Sequence, residues 1–317
     1  MATVYGKSYY KILGNWAELS RGARKVFIKD TGEDGWGTGT GEQGPAKIYV
    51  KSDNGAWVRT YPSMWDGPRT GREFHFDFMR AENLGTSSGL NGDGSWDPVG
   101  DGTIVFDMIN VGSGQKTMGI QGVSPARHDY EYQAWYMDFD GSNDYLIYLP
   151  ASPNPYPSLN PNTGMSVAMW TWSDTNHNGI FFSADDPANR FRIFQVKKKS
   201  NGDILANAFK SGGSSTFSAT SAEQNNAWVH VGVTWYKDGS TSEVRLYIDG
   251  ALADVGQWTG TMSTGSPNLV MGMQEAGDNN NPFNGRLGDI IFWDTTMLSA
   301  SDMTDVYNQY AVHRYGH

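Results

Sequence analysis

From Trp135 to Trp293 the chain repeats one device: a short run of β-branched and aromatic residues, then a turn built from Gly, Asn, Asp and Ser. Trp135-Tyr136-Met137-Asp138-Phe139 leads through Asp140-Gly141-Ser142-Asn143-Asp144 into Tyr145-Leu146-Ile147-Tyr148-Leu149. Met165 to Trp172, Ile180 to Ser183, Phe191 to Val196, Trp228 to Trp235, Val244 to Ile248, Leu269 to Met273 and Gly288 to Trp293 continue the series. Such spacing predicts an all-β antiparallel sandwich and argues against βαβ units. Alternation along the runs predicts that Trp170, Trp228 and Leu246 fill the seam between two facing sheets. The aromatic content (12 Trp, 16 Tyr, 14 Phe) supplies volume for that core. One short helix is expected at the end. Ser299 stands three residues before Asp302, a variant of the capping box, and Met303, Val306 and Tyr307 form an apolar stripe behind it.

Residues 1–70 read as a separate module. Lys25-Val26-Phe27-Ile28-Lys29-Asp30 and Lys47-Ile48-Tyr49-Val50-Lys51-Ser52 resemble each other, and Asn54-Gly55 is a hairpin turn signal before Trp57. Two small hairpins are expected there. An isolated hairpin is marginal in water, so the module needs a partner. Residues 71–317 form the main domain. In its first part, Glu73 to Met79 and Thr103 to Ile109 read as strands within loop-like sequence.

The order of segments in 135–317 is similar to the concanavalin A-like superfamily, in particular its laminin G-like and pentraxin-like jelly rolls. The residues carrying the resemblance are Phe139 to Leu146, Met165 to Trp172, Ala227 to Trp235 with Val244 to Gly250, and Phe283 to Ile290 with the final helix. The resemblance implies two packed antiparallel sheets with ligand loops at a sheet edge or on a concave face. The N-terminal module resembles the short β modules near the ends of bacteriophage tail and fibre proteins.

Calcium sites in this superfamily draw oxygen ligands from two loops, and calcium takes six to eight such ligands. The resemblance therefore implies a Ca²⁺ site built from Asp185, Asp186 and Asn189 in one loop and Glu275 and Asp278 in another, although Ala276-Gly277 interrupts the family's run of acidic and amide residues. Glycan binding needs aromatic faces for sugar C–H groups and amides or carboxylates for hydroxyls. Trp172, Asn176, His177, Asn178, Trp258 and Asn280 are the candidates, with core packing the alternative role for either Trp. No catalytic residue is assigned. The hydrolase motif Glu-x-Asp-x-x-Glu is absent. Asp138 and Asp140 share a strand face, but Asp140 is used in the turn.

Composition narrows the classes further. A formal net charge of -10 argues against nonspecific nucleic-acid binding, which needs Lys and Arg against phosphates. With no cysteine there are no disulfides or thiolate metal sites. No run approaches the roughly 20 apolar residues of a membrane helix, so membrane insertion is not expected. Met1 to Lys7 lacks the apolar core of a signal peptide, so synthesis in a host cytoplasm is expected. The resulting expectation is a non-enzymatic bacteriophage virion protein, a tail fibre or appendage. Its N-terminal module would join other virion proteins, and its jelly roll would bind host-surface glycan or neighbouring subunits as a homo-oligomer, since weak glycan sites gain from avidity. A purely structural capsid decoration protein and a glycan hydrolase or lyase of the same fold are the alternatives.

Overall fold

The computed structural model describes residues 8–12, 15–19, 26–28, 48–51, 57–61, 72–76, 104–106, 117–121, 126–129, 134–149, 158–173, 177–186, 191–212, 216–222, 225–274 and 281–314. The chain divides into two compact units, Met1–Asp66 and Gly67–His317.

In the first unit β1 (Ser8–Ile12) pairs antiparallel with β2 (Asn15–Leu19), with Ile12 opposite Asn15. A second sheet has the order β3-β4-β5, from β3 (Val26–Ile28), β4 (Ile48–Lys51) and β5 (Trp57–Tyr61). This corrects the expectation of two hairpins. The two similar segments pair with each other, Val26 opposite Val50 and Ile28 opposite Ile48, and only β4 and β5 flank the Asn54-Gly55 turn signal. Joining them gives β4 partners on both edges, and three strands hold together better than an isolated pair.

Sixteen described strands make up the second unit: β6 (Arg72–Phe76), β7 (Ile104–Phe106), β8 (Thr117–Gln121), β9 (Ala126–Asp129), β10 (Ala134–Asp140), β11 (Tyr145–Leu149), β12 (Met165–Trp172), β13 (Gly179–Asp186), β14 (Phe191–Lys198), β15 (Asp203–Phe209), β16 (Thr216–Ala222), β17 (Trp228–Asp238), β18 (Thr241–Ile248), β19 (Ala251–Thr259), β20 (Asn268–Met271) and β21 (Asn284–Trp293). They form two antiparallel sheets of eight. The first runs β19-β18-β17-β12-β21-β10-β9. The long β21 gives one edge to β12 and shares the other between β10 and β6. The second sheet runs β16-β15-β14-β13-β20-β11-β8-β7. Together they are the sandwich the sequence implies.

The seam is aromatic. Phe194 of β14 lies 4.5 Å from Trp235 of β17, Phe182 of β13 lies 5.5 Å from Phe292 of β21, and Phe74 of β6 lies 5.3 Å from Tyr148 of β11, all between ring centroids. Each pair joins one sheet to the other. Met165, Val167, Met169, Val231, Val233 and Leu246 add aliphatic bulk to the same core. Asp249 and Gly250, both at positive φ, make the tight turn from β18 to β19.

Two tryptophans are not where alternation was expected to put them. Leu246 is in the seam, but Trp170 and Trp228 are buried on the outer face of the first sheet. Their neighbours Met169 and Val229 take the inward positions, so the tryptophans point the other way. Trp170 is covered by Tyr307 of α1 (Ala300–Arg314), and Trp228 packs on Tyr136. Strand β12 is thus buried on both faces until Trp172, which explains why only Ser166 and Thr171 interrupt its apolar run. The helix starts as its sequence predicts: Ser299 Oγ accepts from Asp302 N at 3.1 Å while Asp302 Oδ2 accepts from Ser299 N at 2.9 Å. Met303 and Val306 are buried beneath it.

Candidate functional site

Four neighbouring strands lay a chemically mixed row across the outer face of the first sheet. Asp138 of β10 is the register partner of Arg286 of β21, Arg286 of Trp172 on β12, and Trp172 of Trp228 on β17. Partners directly opposite share a face, so the four side chains stand side by side. The Arg286 guanidinium carbon lies 3.9 Å from the Trp172 ring centroid and 4.8 Å from that of Tyr136. Tyr136 in turn meets Trp228 at 5.7 Å. Two ring faces therefore hold a planar cation whose position they fix by cation–π attraction. Tyr136 and Trp228 are buried and form the floor, while Asp138, Trp172 and Arg286 are half-buried and reach the surface. Such a row offers an apolar ring surface, a carboxylate acceptor and a fork of N–H donors within one patch.

The end of the row is braced by the segments around it. Gly285, at φ +150°, lets β21 pass so close to the Trp172 carbonyl that no side chain would fit there. Asn284 N donates to His177 Nε2 at 3.0 Å, and the His177 ring lies 5.5 Å from Phe283. Just beyond Trp172, the Ser173 carbonyl accepts from Asn226 N at 2.8 Å. The fully buried Lys198 donates to Ser173 Oγ and, at 2.5 Å, to Asn225 Oδ1. Asn178 Oδ1 accepts from Ser200 N at 3.0 Å.

The predicted glycan residues separate accordingly. Trp172, His177 and Asn178 lie at one end of the sandwich, with the His177 and Asn178 acceptors engaged in bracing the loops. Trp258 does not join them. It sits on edge strand β19 opposite Ser242, turned toward the inside of the sandwich, 6.1 Å from Phe217 and with Lys210 Nζ 5.1 Å above its ring. Its role there is to close the open side between the sheets. Asn176 and Asn280 lie outside the described residues. Sequence reading missed Arg286, Tyr136 and Trp228 as site residues, because only strand register brings them to Trp172.

For the predicted calcium ligands, Asp185 and Asp186 belong to the last part of β13 and not to the following loop. Their backbones pair with Arg192 and Phe191. The residues on either side of positions 275–280 are tied to the same strand: Ser183 Oγ donates to the Gln274 carbonyl at 2.8 Å, with the Met273 carbonyl at 3.1 Å, and Ile180 N donates to Asn281 O at 3.1 Å. Asn189, Glu275 and Asp278 lie outside the described residues, and among the described residues no group of three metal-ligating side chains occurs. Asp138 and Asp140 do share a face, but Asp140 Oδ1 accepts from Ser142 N at 2.7 Å within its own turn.

The family model for the concanavalin A-like lectin/glucanases superfamily matches residues 140–302, just over half of the chain. No curated protein sequence matches. Among solved structures, the receptor-binding domain of botulinum neurotoxin mosaic serotype C/D is 13% identical, with 75% of this chain and 50% of that one covered and a TM-score of 0.48. The chain spans about half the length of the neurotoxin domain chains it matches. Domain 4 of an extracellular arabinanase from Geobacillus stearothermophilus, solved with arabinotriose, is 15% identical over 74% of this chain and 98% of that one, at 0.48. A heptameric pentraxin from Limulus polyphemus is 18% identical over 54% and 80%, at 0.41.

Proposed function

The chain belongs to the concanavalin A-like lectin/glucanases superfamily, and from that premise we propose that it is a non-catalytic glycan-binding protein of a bacteriophage virion, a tail fibre or similar appendage. The observation carrying the binding function is the row of Asp138, Arg286, Trp172 and Trp228. It combines a half-exposed indole with charged groups able to meet sugar hydroxyls in both senses, as carbohydrate sites require. The carboxylates near it support binding over hydrolysis. Asp138 stands beside a guanidinium and Asp140 serves its turn, which leaves no opposed pair across a cleft.

The virion setting draws its support from the first unit. Its small sheets carry Ile48-Tyr49-Val50-Lys51 and Trp57, the residues that resemble phage appendage modules. In this reading that unit joins other virion proteins, several copies assemble, and avidity offsets weak single sites. Calcium bound through Asp185 and Asp186, with further oxygens from the adjoining loops, completes the proposal; their carboxylates are the hard donors calcium prefers.

A glycan array probed with the full chain, with and without chelator, tests the binding function. Trp172→Ala should abolish the signal while the protein stays folded, and an unchanged signal would refute the assignment to this row. Immunogold labelling of particles tests the setting: label on the tail supports a fibre, label over the capsid a decoration protein.

A further inference from the structure

We infer that this row takes an uncharged sugar and discriminates against acidic ones, an inference that rests on the glycan-binding reading above. Arg286 would by itself suit a sugar carboxylate, since its fork matches that group in two-point geometry. Its surroundings work against that. Asp138 is its direct cross-strand partner on the same face, and such partners place their Cβ atoms about 5 Å apart. A carboxylate at that range compensates the guanidinium and occupies the field an acidic sugar would need. One more carboxylate follows on the same face: Asp140, exposed and two residues beyond Asp138 on the same strand. Against the one guanidinium of Arg286, β10 thus presents two carboxylates here. The molecule as a whole carries a formal charge of -10, which adds repulsion at longer range.

An uncharged sugar meets none of these costs. One hydroxyl can donate to Asp138 and its neighbour can accept from Arg286, because acceptor and donor stand on adjacent strands. The C–H face of the ring can lie along the exposed part of Trp172. Charge and hydrogen-bond complementarity therefore select a vicinal diol over a carboxylate, and the selection is largely repulsive.

Calorimetric titration of the full chain separates the possibilities, using matched pairs: neutral arabino-, manno- and galacto-oligosaccharides against sialylated or uronic acid counterparts. Binding confined to the neutral members, lost in Trp172→Ala and insensitive to salt between about 0.02 M and about 0.5 M, is the expected result. Asp138→Asn should weaken the neutral ligand by about tenfold and narrow or reverse the preference against acidic ones. If that variant does not fold, the salt dependence and the paired comparison in the wild-type chain still decide. Acidic members binding as tightly as neutral ones through Trp172, or an unaltered preference in folded Asp138→Asn, would overturn the inference while leaving glycan binding intact. No binding to either member of any pair would remove the glycan reading itself.

Discussion

Trp170 lies against Tyr307 on the outside of the sandwich, ring centroids 5.9 Å apart and 27° from parallel. This contact, with His230 edge-on at 5.3 Å from the same indole, docks the terminal helix on the first sheet. Close approach is possible because β17 carries Gly232 under Met303, where an added Cβ would collide with the Met303 sulfur, and because Gly250 sits 2.8 Å from Tyr307 Cβ by the same measure. Gly232→Ala should therefore lift the helix and cost about 1–3 kcal/mol, as overpacking of a filled interface does. Urea unfolding would show it, and wild-type stability in that variant would mean that the methionine yields freely.

The same contact carries a pH dependence. Burial, followed by the nearby Asp249 charge, raises the Tyr307 hydroxyl above its usual value of 10.0. The folded state thus favours the neutral phenol. Below pH 10 both folded and unfolded chains hold the proton and nothing is lost. Above it the unfolded chain ionises first, so stability falls as pH rises toward the folded-state value. Stability measured from pH 9 to 11 should decline less steeply in Tyr307→Phe than in the wild type.

Within the seam, Trp235 is the largest single anchor. It packs on Phe194, and its Nε1 donates to Asn207 O at 3.3 Å across to the second sheet. Trp235→Ala should cost about 3–5 kcal/mol through lost burial and a residual cavity. Trp172→Ala, at a half-exposed position, should cost much less and act on binding instead. Thermal melts of the two variants side by side would reveal the contrast, and equal losses would contradict the division of roles.

How legible this was in the sequence depends on the residue. Strands β12, β17 and β21 are plain because β-branched and aromatic residues dominate them. Strand β16, Thr216-Phe217-Ser218-Ala219-Thr220-Ser221-Ala222, has one large apolar side chain and is held by pairing with β15 and by Asp254 Oδ2, which accepts from Thr220 N at 2.8 Å. No local pattern announces such an edge strand. Alternation put Trp170 and Trp228 in the seam with Leu246, and for the two tryptophans that was the wrong face. It could not say which parity faces the second sheet, because a helix remote in sequence buries the other face as well. The row of Asp138, Arg286 and Trp172 is likewise a product of register between distant strands.

Lys198 offers a test of how the end of that row is supported. It is fully buried at the end of β14 and ties the segment after Trp172, through Ser173, to the segment before Trp228, through Asn225. Lys198→Met keeps the stem but removes the donors, leaving the buried Ser173 Oγ with one bond fewer. A loss of about 1–3 kcal/mol is expected. Hydrogen exchange should rise around Ser173 and Asn226 more than in the Trp235 strand; a uniform rise would place the effect in the core instead.

The proposed calcium site makes a prediction that does not depend on glycan. A ligand that binds only the folded chain raises its stability with concentration, by about 2.7 kcal/mol at a hundred times the dissociation constant. Calcium should therefore raise the unfolding midpoint of the wild-type chain in chelator-treated buffer. The paired substitution Asp185→Asn with Asp186→Asn should erase that rise, because amides keep the shape but lose the charge that draws the ion. Magnesium demands tighter octahedral geometry and should substitute poorly. A midpoint indifferent to calcium, or an equal rise in the double variant, would remove these two carboxylates from any metal site.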